Sequence, residues 1–219
     1  MYFKSREAAG KLLASQIVKK HKADQCAVIA LNDGGVVVGM QIAVKLQCVL
    51  MLLATATIEL PRENKIFGGL TADGTFAYNN AYSKPDIDEM TMEYRNFIEQ
   101  EKLYRINEMH RVSGEGDLIR RELLQGRHII LVSDGLQDAF SLDLAFEFLK
   151  PIACKEVIVA TPVANVPAVD RMHVLADEIY CLNVIEDFFT IDHYYDATDI
   201  PPHEKVTATV ESMVAAWQY

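Results

Sequence analysis

Five short, largely apolar runs recur along the chain: CAVIAL (26–31), CVLMLLA (48–54), HIILVS (128–133), EVIVATPV (156–163) and EIYCLNV (178–184). Runs of this length and character are what strands covered on both faces look like. Most are separated by a turn and a helical pattern, and a strand that follows a crossover helix pairs parallel to the strand before it. The expectation is an α/β domain with a mostly parallel sheet flanked by helices on both faces.

The intervening segments fit that plan. Ala9, Leu12, Leu13 and Ile17 share one face of a helix over residues 6–19. VVVGMQIAVKL (36–46) is the first crossover helix, residues 140–149 form another, and Pro167 opens a third at its first turn. A last helix follows Pro201-Pro202 and runs to about Trp217.

Residues from about 55 to 116 break the pattern. TATIELPREN reads as irregular, KIFGGLTADGTFAYN as a hairpin turning at Asp73-Gly74, and residues 86–111 as one long charged helix with a ragged stripe of Met92, Phe97, Leu103, Tyr104 and Met109. The chain is thus read as a single domain over 1–219 with an inserted flap at roughly 55–116.

Composition narrows the partners. The 219 residues are half hydrophobic with a formal net charge of −10, which opposes nucleic acid and anionic membrane surfaces. The most apolar stretch, 36–58, is interrupted by Gln41, Lys45 and Gln47 and reads as helix plus strand rather than a membrane span. Cys26, Cys48, Cys154 and Cys181 show no metal-ligand spacing, and the six histidines form no pair at helical spacing, so no metal site is read. Reduced thiols in apolar surroundings, with no apolar leader in the first twenty residues, suit a cytoplasmic protein.

Ligands of such sheets bind beyond the carboxyl ends of the strands. The loops there are NDGG (32–35), ATATIELPREN (54–64) and SDGLQDAFS (133–141). A helix starting after such a loop offers free N–H groups to an anion. Taken singly, each loop is equally a tight Asp-Gly turn or a helix cap. There is no Walker loop, no Gly-x-Ser-x-Gly elbow and no Asp-x-Ser-x-Ser, so P-loop, α/β-hydrolase and metal-adhesion readings fail. DHYYD (192–196) reads as a loop packing Tyr194 and Tyr195 on the core, and DIDE (86–89) as an acidic helix start.

The succession KSREAAGKLLA, CAVIALNDGGVVVGMQIAVKL, GGLTADGTFAYN, GRHIILVSDGLQD, EVIVATPVA, ADEIYCL and DFFTIDHYYD resembles the stand-alone type I phosphoribosyltransferases of bacteria and archaea. The resemblance spans nearly the whole chain in order. It implies a type I phosphoribosyltransferase-like core with an inserted hood, 5-phosphoribosyl-1-pyrophosphate as ligand, magnesium bound with it, and a homodimer. It also implies Asp134 as the catalytic-site acid that meets the ribose hydroxyls, and Gly34, Gly35, Ser133, Gly135 and Ser141 as phosphate-loop positions.

The same loops depart from the family. Its Pro-Arg-Gly-Gly becomes Asn32-Asp33-Gly34-Gly35, its Arg-Lys after the second strand becomes Ala54-Thr55-Ala56, the first acid of its ribose-phosphate loop becomes Ser133, and the Thr-Gly of that loop becomes Asp138-Ala139. Arg62 and Lys65 are the nearby cations that could replace the lost ones. Asp33 and Asp138 put carboxylates where phosphates need N–H groups, hydroxyls and cations. At an effective dielectric near 20, two like charges ~4 Å apart repel by about 4 kcal/mol. Ala139 would add strain if its position needs a positive φ. Two functions follow. One is a phosphoribosyltransferase-like protein with an altered site, non-catalytic or repurposed for ligand sensing or subunit association. The other is an active phosphoribosyltransferase acting on an acceptor the sequence does not reveal.

Overall fold

The structure is a computed structural model of the 219-residue chain and describes residues 2–21, 25–61, 66–113 and 118–217. Its centre is a five-stranded sheet. The strands are β1 (Cys26–Ala30), β2 (Val49–Leu52), β6 (His128–Val132), β7 (Glu156–Asn165) and β8 (Glu178–Ile185), in the order β2-β1-β6-β7-β8. Every pairing is parallel, with Ile29 opposite Leu131 and Leu131 opposite Val159. All five residues of β1 and all four of β2 are buried. Successive side chains of a strand point to opposite faces, so both faces are covered.

The helices that cover it are α1 (Arg6–Ile17), α2 (Asp33–Leu46), α5 (Phe140–Leu149), α6 (Val166–Leu175) and α7 (His203–Ala216). Helix α1 packs on α2, α2 on β1, α6 on β7 and β8, and α7 on β2. The order of strands places β6 in the middle, so the loop after β6 and the loop after β1 open side by side.

Between β2 and β6 lies a second, three-stranded antiparallel sheet, β3 (Thr55–Glu59), β4 (Ile66–Thr71) and β5 (Phe76–Tyr78). The β4–β5 hairpin turns at Gly74, whose φ of 85° suits glycine. Two readings of this stretch need correction. TATIE is a strand rather than irregular chain; its burial alternates weakly and only Ile58 is buried, so its periodicity was faint. The long charged helix is two helices, α3 (Lys84–Glu93) and α4 (Arg95–Ser113), interrupted at Tyr94. Helix α3 starts from a capping box in which Ser83 and Asp86 bond each other's backbone, with Pro85 in its first turn. The expected stripe is largely exposed: Met92, Leu103 and Tyr104 are 83%, 64% and 57% accessible. Leu60, Phe67 and Ile98 instead form a small core local to this region. Among the described residues, no helix is long and apolar enough to cross a membrane.

Cys26 and Cys48 are buried in the main core, while Cys154 and Cys181 are half-buried. Burial pushes the Cys181 thiol up to about 11 and also raises Cys26 and Cys154. The reactive species is the thiolate. Labelling by a thiol reagent at pH 7.5 without denaturant should therefore be slow at all four cysteines and slowest at Cys26 and Cys48. The Cys181 rate should climb about tenfold per pH unit until its pKa is approached. Rapid labelling of all four at neutral pH would contradict this packing.

Candidate functional site

The chain leaves β1 and β6 at adjacent points, Ala30 opposite Val132. After β1, Asn32 caps α2: its side-chain oxygen accepts from the Gly35 N–H at 2.6 Å. Asp33, Gly34 and Gly35 are therefore the first turn of a helix, not a free loop. The two glycines have ordinary helical backbone, so neither is needed for a left-handed φ. They are needed for room. A Cβ on Gly34 would sit 2.0 Å from Asp134 Oδ2, and one on Gly35 would sit 2.7 Å from the Val132 carbonyl oxygen.

After β6, Asp134 turns inward and is 2% exposed. Arg6, at the start of α1, donates through Nε to Asp134 Oδ2 at 2.6 Å, and Asn32 donates to Oδ1 at 2.8 Å. Tyr195 donates its hydroxyl to the Asp134 carbonyl oxygen at 2.5 Å. Arg6 is itself 1% exposed. Its remaining nitrogens reach Asp192 at 2.5 Å and Asp199 at 3.5 Å, and its guanidinium lies 4.4 Å from the centre of the Tyr195 ring. Burial alone would lower the Arg6 pKa, but the bonds to Asp134 and Asp192 outweigh it and raise it. The Tyr195 hydroxyl is pushed up by burial and by the Asp134 charge, and stays protonated. A planar, permanently charged fork is the group that can serve several carboxylates at once.

The remaining candidates fall into place around this pair. Both oxygens of Asp33 lie 2.9 Å from His203 Nδ1 at the start of α7. Ser133 is buried, donates to the Gly135 carbonyl at 2.8 Å and lies 3.4 Å from the Asn32 amide. Gly135 packs under Ile191, where a Cβ would come within 3.0 Å. Asp138 accepts from the Phe140 N–H at 2.9 Å and so closes the start of α5. Ala139 has φ −95° and ψ −4°, an ordinary right-handed conformation, so the position needs no positive φ and alanine sits there without that strain. Ser141 lies in the first turn of α5 and lines a hollow of about 250 Å³ together with Ser133, Gly135 and Asp138. Arg62 and Lys65 lie outside the described residues.

A larger cleft of about 800 Å³ adjoins that hollow, the two sharing Leu31, Asn32, Thr55, Thr57 and Ile191. Its charged lining among the described residues is Arg6 and Arg105 against Asp33, Glu108, Asp134 and Asp192, with His203 beside them. Arg105 comes from α4 and is already paired with Glu101 and Glu108 at 3.4 and 3.3 Å. Sequence reading missed Arg6, His203 and Asp192 as site residues. Their partners lie 128, 170 and 186 residues away, beyond any local motif.

Removing Arg6 would leave Asp134 buried without its cation. Arg6→Met should lower stability by about 3–5 kcal/mol in urea denaturation, since the remaining charge is uncompensated. Arg6→Met with Asp134→Asn should lose less than Arg6→Met alone. Equal stability of Arg6→Met and the native chain would show that the pair does not hold the site.

No family model matches the chain. Two Mycobacterium tuberculosis proteins, from strains CDC 1551 and H37Rv, provisionally named phosphoribosyl transferases, are each 26% identical to it over 195 residues. The alignment covers 88% of this chain and 43% of theirs, so the chain spans less than half the length of these curated relatives. Among solved structures, a Thermus thermophilus protein superposes with a TM-score of 0.73 at 22% identity, covering 97% of this chain and 99% of that one. An Aquifex aeolicus protein follows the same fold at a TM-score of 0.51 and 11% identity, over 94% of this chain and 86% of that one. Over 88% of its length the chain is similar in sequence to these two proteins, and its parallel sheet covered by helices follows the α/β fold of the Thermus thermophilus protein.

Proposed function

We propose that this chain is a phosphoribosyltransferase-like protein whose phosphoribosyl pyrophosphate site is altered, and that it is non-catalytic or repurposed for sensing a phosphate-bearing small molecule or for subunit association. One observation carries this reading: the groups that would receive phosphates are already occupied by the chain itself. Asn32 takes the Gly35 N–H, Asp138 takes the Phe140 N–H, and Arg6 is spent on three carboxylates. Among the described residues, the cleft lining carries two arginines against four carboxylates, a balance that repels a polyanion. The antiparallel sheet and α3–α4, from about 55 to 116, take the part of a hood, since α4 supplies Arg105, Glu108 and Met109 to the cleft wall.

Magnesium does not fit the site as built. It takes oxygen ligands in a near-octahedral shell at ~2.0–2.1 Å. Both Asp134 oxygens accept hydrogen bonds from Arg6 and Asn32, and both Asp33 oxygens face His203. A magnesium ion would have to compete with Arg6 or Asn32 for Asp134 and with His203 for Asp33.

The active reading keeps one specific support. Asp134 stands at the carboxyl end of the central strand against a glycine turn, beside a cleft within the size range of small-molecule sites. Calorimetry separates the two. A ligand at 100 times its dissociation constant adds about 2.7 kcal/mol, or roughly 5–10 °C in Tm for a chain of this length. With millimolar phosphoribosyl pyrophosphate and magnesium, the native chain should show no such rise and release no pyrophosphate. Asp33→Arg with Asp138→Thr should create a rise, because it reverses one charge and frees the Phe140 N–H. Micromolar binding by the native chain would overturn the altered-site reading in favour of the enzyme.

A further inference from the structure

At the amino-terminal edge of the central sheet, opposite the cleft, three elements bring together side chains that no local motif links. His128 opens β6 and Glu156 opens β7, paired directly across the sheet. His21 descends from the turn after α1 and is 7% exposed. One ligand atom from each of His21, His128 and Glu156 lies within 4.8 Å of the others. The two imidazole rings are 5.4 Å apart, edge to face. His128 Nδ1 is 2.7 Å from Glu156 Oε2. His21 Nε2 is 3.0 Å from Glu178 Oε2, and the other Glu178 oxygen is held by Lys20 and Tyr180.

We propose that His21, His128 and Glu156 bind a divalent transition-metal cation of the zinc class, with Glu178 orienting His21. Two imidazoles and a carboxylate suit zinc, whose bonds to such ligands are ~2.0–2.2 Å long. Tetrahedral ligands at that bond length stand roughly 3.3–3.6 Å apart, and the three ligand atoms here already lie within 4.8 Å of one another. The Glu178 contact has the form found around metal-bound histidines, where one ring nitrogen donates to a carboxylate and the other binds the ion. Nε2 of His21 faces Glu178, which leaves Nδ1 for the metal. Glu156 and Glu178 each bring a carboxylate against one of the two rings, and a dication would answer that negative charge. The fourth coordination position is left to water. The site would pin the end of α1 to the start of the sheet.

The test uses the full chain stripped with a chelator and titrated with zinc sulfate at pH 7.5, with magnesium as control. The expected result is one zinc per chain at micromolar affinity or tighter, a Tm rise of several degrees, and no response to magnesium at the same concentration. Cobalt should give visible d–d bands without thiolate charge transfer, which separates this site from the cysteines. His128→Ala should abolish the response. Glu178→Gln should weaken binding by about 10–100-fold and Glu156→Gln, which removes a ligand, by at least as much, and they keep the test informative if His128→Ala folds poorly. Absence of stoichiometric zinc binding by the native chain overturns the proposal. So does binding that all three variants leave unchanged.

Discussion

A guanidinium and a carboxylate, both sealed from water, organise the business end of this molecule. Arg6 and Asp134 meet at 2.6 Å with 1% and 3% of their side chains exposed. Burying such charges is costly unless each is paired and its remaining hydrogen-bonding capacity is met. Here it is met from several directions. Asn32 satisfies the second Asp134 oxygen, Asp192 and Asp199 take the outer nitrogens of Arg6, and Tyr195 lies against the guanidinium while bonding the Asp134 backbone. Helix α1, the turn after β1, the turn after β6 and the segment after β8 are thereby fixed to one another. Gly34 is a consequence of this arrangement, because the carboxylate occupies the space a side chain would fill.

The same economy of charge explains how acids can stand in what resembles a phosphate-binding frame. Asp33 is not a bare negative charge at the mouth of the cleft, since His203 covers it from α7. Asp138 performs locally what a bound phosphate oxygen would do, accepting an N–H at the start of a helix. The two acids introduced relative to the family pattern, Asp33 and Asp138, are each matched by a donor within the chain. That makes the acids compatible with folding, and it lowers what an incoming phosphate would gain.

Much of the fold was legible because buried parallel strands must be continuously apolar, and CAVIAL, HIILVS and EVIVATPV have no other comfortable home. Helix starts were legible where a proline marks them, as at Pro167 and Pro202, but not at α2, where the residues read as a loop are its cap and first turn. Strand β3 was not, because one buried residue, Ile58, carries its periodicity. The break at Tyr94 was hidden because charged residues continue across it. The candidate positions at 33–35 and 133–141 were legible from their resemblance to family loops, but their state was not. Whether Asp33 faces a ligand or a histidine depends on where residue 203 arrives, and whether Ala139 is strained depends on a φ that only the folded loop has. The cluster of His21, His128 and Glu156 had no sequence signature at all, since strand pairing rather than spacing assembles it.

Helix α1 contributes no strand and no loop to the cleft, yet it is tied at both ends. Arg6 anchors its start to the carboxyl side of the sheet, and His21, just past its end, is bonded to Glu178 on the amino side. It behaves as a strut spanning the sheet from one margin to the other. A chain cut back to begin at β1 would retain every strand of the central sheet and still lose the cation that makes Asp134 tolerable indoors. The first helix therefore belongs to the site as much as the loops do, and any shortened form that folds would have to find Asp134 another counter-charge.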